Sequence, residues 1–507
     1  MIYILAFVLF WLNHTHANRL AHRNADQIVL DTGRFNSVPN AENVSLRIDH
    51  NNKTSSNFSN RFYVKADWYE PGGPVFLYDG GEGTADTSHI NSNKFTSDKQ
   101  LSFFERFLKG HRGLGIVWEH RYYGESLPLP QNRLIESREE DFKYLTTKQA
   151  LDDVMVFASS FKRSEKQFKG VDLTPKKTPW IFIGCSYPGV RAAIMRVAYP
   201  DTIFASYAAS APIEAKVDMS SYYQPIWSGM TSYLSNIWGT WQNYGMEREP
   251  DPENETQSLH PGLRAMCDHI SYNNDTGTMS DAKGWAHRKG VDFTLDRLQS
   301  WPGLIDQIDF GRETISCPVK SVQPKSPQCV RDDKLEDISW KYQYCTKWGY
   351  LQVGNPGVNQ IVSKYYDLNF FRHQCQCQFN FTGTGNRAIP LIPQVDLINR
   401  MYGGQKMRPS RTFLTDGEFD PWRTLSPLMV DNITIPDYDA PTTPEAPLFG
   451  RVLRNKQHCG DFDSYDEDAK AAHARFSEAL NQWLCSYTKK NKNNLNKGAE
   501  NILCPKK

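Results

Sequence analysis

After its first twelve residues the chain has no apolar run long enough to cross a bilayer as a helix. It also lacks an excess charge of one sign, since 58 Lys+Arg face 57 Asp+Glu. Nucleic acid and an anionic membrane are thereby excluded as main partners. No internal repeat is visible, which sets aside solenoids and propellers. No His/Cys partner pair stands at zinc spacing, so Cys375-x-Cys377 reads as disulfide chemistry rather than a metal site, and neither metal nor cofactor is expected. The first twelve residues carry no Lys or Arg and are too few for a membrane span. Thr15-x-Ala17 follows them, so residues 1–17 read as a secretory signal cut after Ala17, leaving a soluble chain.

What is present fits that route. Ten cysteines, an even count, suggest disulfides in an oxidising compartment. Seven Asn-x-Ser/Thr sequons, at Asn43, Asn52, Asn57, Asn254, Asn274, Asn380 and Asn432, mark surface segments of a secreted chain. The expected location is extracellular, with a vacuole or lysosome as the alternative. At 507 residues the chain is long enough for a catalytic core with a large insertion. Aromatics at 13% suit a folded protein with apolar recognition surfaces.

The organising stretch runs from Pro179 to Gly189. Trp180-Ile181-Phe182-Ile183 reads as a short buried strand, and Val190, Ile194 and Val197 as one face of a following helix. Gly184-x-Ser186-x-x-Gly189 lies between them. A serine wedged there sits on a sharp turn with its hydroxyl exposed. The next amide, of Tyr187, then stands at a helix N-terminus, where partial positive charge suits an oxyanion. This is the nucleophile elbow of an α/β-hydrolase, although a plain Gly-Ser turn would look similar.

Other segments supply the partners. Pro74 to Tyr78 is a strand running into Asp79-Gly80-Gly81-Glu82-Gly83, whose Gly81 is the candidate second oxyanion donor. Glu82 in the same loop is a candidate substrate-binding carboxylate. Strands are also expected at Leu114–Trp118, Ile203–Ser210, Arg411–Thr415 and Leu448–Leu453, with helices at Lys148–Phe161 and Ala471–Cys485. Residues 18 to about 60 read as a polar surface lead-in, and 489–507 as a mobile basic tail. The hydrolase core spans 18–212 and 399–488, interrupted at 213–398 by a mostly helical cap holding six of the ten cysteines.

The candidate triad is Ser186, Asp420 and His458, in the chain order the hydrolase fold imposes. Serine is a weak nucleophile until a histidine takes its proton, and an aspartate must fix that imidazole's tautomer. Asp416 rivals Asp420 on spacing. His120 is a rival base, but it precedes the serine. Cys185 and Cys459 flank the serine and the histidine, so a disulfide between them would tie elbow to histidine loop. Alternatively, Cys185 is a small buried residue.

Four motifs occur together and in order: Glu119-His120-Arg121-Tyr122-Tyr123-Gly124-Glu125-Ser126, Gly184-x-Ser186-Tyr187-x-Gly189, Trp340-x-Tyr342-Gln343-x-Cys345-Thr346 and Gly417-Glu418-Phe419-Asp420-Pro421-Trp422. Over residues 70 to 480 the chain resembles the S28 family of serine peptidases. The resemblance implies an α/β-hydrolase with a helical cap, acting on peptides or proteins after proline or a small residue, often at acid pH. It places nucleophile, acid and base at Ser186, Asp420 and His458, preferring Asp420 to Asp416. It sets Trp422 in the wall of the S1 pocket and allows a homodimer. Three positions depart from the family's pattern: Pro188 beside the elbow, Lys347 where Glu is frequent, and Cys459 where the animal exopeptidases carry histidine. A carboxylesterase or lipase on the same fold, and a catalytically silent binding relative, are the competing readings.

Overall fold

A computed structural model describes residues 39–90, 101–226, 268–273, 276–280, 284–301, 331–355, 357, 365–379, 389–429, 448–463 and 466–505. The signal segment, the sequons at Asn254, Asn274, Asn380 and Asn432, and Cys267, Cys317 and Cys329 lie outside them. The chain divides into two units. One comprises residues 28–222, 327–353 and 365–507, and the other 1–27, 223–326 and 354–364.

The larger unit is built on eight strands: β1 (Glu42–Arg47), β2 (Asn57–Lys65), β3 (Val75–Asp79), β4 (Leu114–Trp118), β5 (Trp180–Cys185), β6 (Ala205–Ala209), β7 (Thr412–Gly417) and β8 (Gly450–Leu453). Their spatial order is β1-β2-β4-β3-β5-β6-β7-β8. The β1–β2 and β2–β4 pairs are antiparallel, and every pair from β4 to β8 is parallel. This is the mixed sheet of an α/β-hydrolase. Strands β3 to β7 are buried at every position, as expected where helices cover both faces of a parallel sheet. Because β3, β5, β7 and β8 run the same way, the loops that follow them all emerge at one edge. That edge is where ligands bind in such sheets.

The crossovers are α1 (Phe103–His111), α2 (Thr147–Ser160) and α3 (Tyr187–Ala198). Ser102 caps α1 through a capping box with Glu105, and Thr146 caps α2 by accepting from Gln149 N–H. In the former insertion, α4 (Leu335–Gln343), α5 (Leu368–Phe379) and α6 (Val395–Tyr402) belong to the same unit. Leu335, Ile338, Tyr342 and Phe379 share a core with Tyr122, Tyr123 and Phe142, and Cys345–Cys375 staples α5 to the end of α4. Cys377 is also disulfide-bonded. The described part of the second unit holds a short hairpin, Tyr272–Asn273 with Thr278–Met279, and helices Gly284–Lys289 and Val291–Gln299. There Lys289 covers the rings of Trp285 and Phe293.

Two expectations are corrected. The polar lead-in before residue 60 contributes β1 and β2 to the sheet. Asn57-Phe58-Ser59-Asn60-Arg61-Phe62 alternates outward and inward, and the inward Asn60 donates from Nδ2 to Glu119 O at 2.9 Å. The basic tail is folded rather than mobile. α7 (Glu467–Lys490) outruns the expected helix at both ends, and α8 (Ala499–Leu503) returns to bury Leu503. A Cys485–Cys504 disulfide fixes that return. Asn43, Asn52 and Asn57 are exposed. Among the described residues no helix is long and apolar enough to cross a membrane.

Candidate active site

Ser186 follows β5 directly and caps α3 with φ 64° and ψ −131°. L-residues rarely hold that conformation, and it thrusts the side chain out of the turn. Ser186 N–H donates to Ala209 O at 2.9 Å, so the turn is fastened to β6. The residue is half-buried, unlike its neighbours Gly184, Cys185 and Tyr187, which are buried. Tyr187 N–H is the first amide of α3, where no intrahelical acceptor exists.

His458 lies on the loop after β8, and Asp420 three residues beyond β7. His458 Nδ1 is 3.0 and 3.1 Å from the two oxygens of Asp420. Asp420 is fully buried and its Oδ1 also accepts from Trp422 N–H at 2.8 Å, which fixes the carboxylate before it meets the ring. Cys185 and Cys459 form a disulfide with a Cα separation of 5.8 Å. The residue before the serine is thus bonded to the residue after the histidine. An imidazole nitrogen of His458 lies within 4.8 Å of both sulfurs. With both sulfurs committed to each other, this cluster offers no thiolate and is not a metal site.

Matched against protein families, residues 47–243 and 260–477 fit the model of serine carboxypeptidase S28. The chain belongs to this family. It is a serine-type peptidase. The chain is similar to the "Probable extracellular serine carboxypeptidase" of Arthroderma benhamiae, 25% identical over 80% of this chain and 61% of that protein. It is similar also to serine protease vicPb of Bipolaris victoriae, 24% identical over 88% of this chain and 89% of that one. Human lysosomal Pro-X carboxypeptidase is 25% identical over 83% of this chain and 86% of its own length. Among solved structures, proline iminopeptidase of Mycobacterium smegmatis aligns at 9% identity and a TM-score of 0.33, over 86% of this chain and 98% of that one. That likeness is too loose to carry weight.

The Gly-rich loop of this S28 chain lies against the elbow. A Cβ on Gly81 would stand 2.4 Å from Pro188 Cγ, and one on Gly184 would stand 2.4 Å from Pro188 backbone. Pro188 therefore fills the space between two glycines. Within the first turn its missing N–H costs the helix nothing. The Gly81 amide has a partner within its own loop. Its N–H donates to Asp79 Oδ1 at 3.2 Å. Asp79 is buried and is also ion-paired with Arg191, whose Nη1 lies 2.6 Å from its other oxygen. Glu82 is half-buried, and burial pushes its carboxyl up to about 7, with His458 and Arg191 acting the other way.

The rivals are accounted for. Asp416 is buried with Ser426 Oγ donating to its Oδ2, and burial and the charge of Asp420 hold its carboxyl well above the usual range. His120 is buried, its Nδ1 directed to Arg121 O, and burial followed by the Arg191 charge keeps it neutral. The Glu119–Ser126 run is an anchor. Glu119 pairs with Arg61 and accepts from Ala85 N–H, Glu125 N–H and Ser126 Oγ, while Arg121 grips Asp153 with two 2.6 Å bonds.

Sequence reading missed most of an aromatic wall. Ring centroids are 5.6 Å apart for Tyr187–Trp340, 5.9 Å for Tyr187–Trp348, 5.7 Å for Trp348–Tyr350 and 5.1 Å for Tyr350–Trp422. Trp422 in turn lies 6.3 Å from His458. The wall runs unbroken from the residue after the serine to the histidine. Trp340 stood in a recognised motif, but Trp348 ends, and Tyr350 follows, a π-helical turn, Tyr344–Trp348, that no periodicity announces.

Proposed function

We propose that this chain cleaves peptide bonds through an acyl-enzyme on Ser186, after proline or a small residue. The observation that carries the reading is the His458–Asp420 pair, with His458 on a loop disulfide-bonded to the Ser186 elbow. Ser186 Oγ attacks the scissile carbonyl carbon as His458 Nε2 takes its proton. Asp420 holds Nδ1–H and steadies the imidazolium, and Tyr187 N–H receives the negative oxygen. Collapse expels the amine, which takes the proton from His458. Water, deprotonated by the same ring, then releases the acyl group and frees Ser186.

The aromatic wall favours proline at P1, because a flat apolar ring packs well against indole and phenol faces. Glu82 stands as a candidate substrate contact beside His458. The extracellular and lysosomal names of relatives, with seven sequons and a signal-like N-terminus, support a secretory route ending outside the cell or in a lysosome or vacuole. Fluorophosphonate labelling should fall on Ser186 and vanish in Ser186→Ala. A peptide-library digest read by mass spectrometry should show cuts after proline and report whether ends or interiors are cut. Turnover of p-nitrophenyl esters without peptide cleavage would restore the esterase reading.

A further inference from the structure

His458 is carried on a loop, not in the sheet, so something outside the loop must fix its distance from Ser186. The contacts of that loop converge on the residue beside it. Cys459 has φ 57°, a left-handed backbone that a non-glycine residue holds only when its surroundings enforce it. Its N–H donates to Ser210 Oγ at 2.8 Å. Ser210 also has positive φ, 45°, and its N–H donates to Thr415 O at 2.6 Å. Two residues on, Asp461 Oδ2 accepts from Tyr207 OH at 2.5 Å and Thr415 Oγ1 at 2.8 Å. These bonds fasten the loop to β6, the strand beside the nucleophile's own, and to β7, the next one along. Cys185 is the last residue of β5, and its bond to Cys459 reaches the residue next to the nucleophile.

We infer that the Cys185–Cys459 disulfide is a positioning element for the hydrolytic reaction, setting the approach of the His458 imidazole to the Ser186 hydroxyl. It acts on the proton transfer and not on substrate binding. Cys185 is buried in, and Cys459 partly buried against, the core cluster that holds Ile183, Ala209 and Leu453, a cluster separate from the aromatic wall of the proposed P1 pocket. The inference rests on Ser186 being the nucleophile.

The test compares Cys185→Ala/Cys459→Ala with the wild type and with Cys485→Ala/Cys504→Ala, which removes a disulfide between α7 and α8. The readouts are kcat and KM on a fluorogenic peptide with proline at P1, and the rate of fluorophosphonate labelling. Loss of the Cys185–Cys459 bond should lower kcat and labelling rate roughly tenfold or more, with KM changed less than about twofold, since small misplacement of a proton acceptor is felt in the chemical step. The control pair should keep its kcat. If the double variant does not fold, wild-type protein is treated with graded dithiothreitol. The dithiol closes to its cyclic disulfide as each cysteine gains a hydrogen, and alkylation mapping gives the fraction of each bond opened. Lost kcat should track the Cys185–Cys459 fraction and return on reoxidation. An unchanged kcat with that bond open, or a loss matched by the control pair, overturns the inference. Wild-type protein that cleaves the peptide but is never labelled at Ser186 overturns the nucleophile assignment and this inference together.

Discussion

Asp416 and Asp420 are four residues apart, and both are buried, yet one meets the imidazole and the other meets Ser426. The pair divides its roles: Asp420 holds the imidazole, while burial and the neighbouring Asp420 charge raise the Asp416 carboxyl well above its usual range. Asp420→Asn should therefore lower kcat by roughly 10³–10⁴, as loss of the correct imidazole tautomer does in a Ser-His-Asp triad. Asp416→Asn should leave kcat within an order of magnitude, because Asp416 meets Ser426 and not the imidazole. Glu82 adds a pH signature. Its carboxylate and the His458 imidazolium favour one another, so Glu82→Gln removes a charge that helps keep the ring protonated. The acid limb of the kcat/KM profile should move to lower pH in Glu82→Gln. A shift to higher pH would show that the two groups are not facing each other.

At the scale of elements, the elbow depends on two contacts with the loop after β3. Gly81 has φ 69° and no space for a side chain beside Pro188. Gly81→Ala should cost about 1–3 kcal/mol of stability through strain alone, read as a lower midpoint in urea. Beneath the same loop, Arg191 of α3 and Asp79 of β3 form a fully buried ion pair. Arg191→Met should cost about 3–5 kcal/mol by stranding a buried carboxylate, and Arg191→Met/Asp79→Leu should recover part of that loss. The sequence makes some of this legible and hides the rest. Trp180-Ile181-Phe182-Ile183 announces β5 because a central parallel strand is apolar on both faces. β1 buries only Leu46 fully, so a polar edge strand leaves almost no pattern to read. Asp79 lay in a recognisable loop, but nothing local pairs it with Arg191, which comes 112 residues later by the difference 191 − 79. The Gly81 amide looked free for an oxyanion because its acceptor, the Asp79 side chain, is fixed only by that long-range pair.

Across the whole molecule, acid stability is set by buried histidines as well as carboxyls. His111 on α1 and His473 on α7 are both lowered to about 4, chiefly by burial. The unfolded chain binds those protons near its ordinary value of about 6.5, so it holds more protons than the fold between pH 6.5 and 4. The stability each neutral ring provides is present above that window and is lost as pH falls through it. At pH 5 each histidine would already have cost on the order of 2 kcal/mol relative to neutral pH. Glu82 works in the opposite sense. Its folded value is raised, so its contribution is present below the ordinary carboxyl range and lost as pH rises toward 7. A peptidase destined for an acidic compartment would thus carry two opposed linkages, one at the site and one beneath the sheet, where His473 lies 5.8 Å from Phe103 and 5.5 Å from Phe107. His473→Gln should lower Tm at pH 8 through lost ring packing, and the penalty should shrink at pH 5, where the wild type is itself paying the protonation cost. Glu82→Gln should show the reverse, gaining more Tm at pH 8 than at pH 5. If both variants shift Tm equally at the two pH values, these side chains do not titrate differently in the fold, and acid tolerance has to be sought among the surface charges.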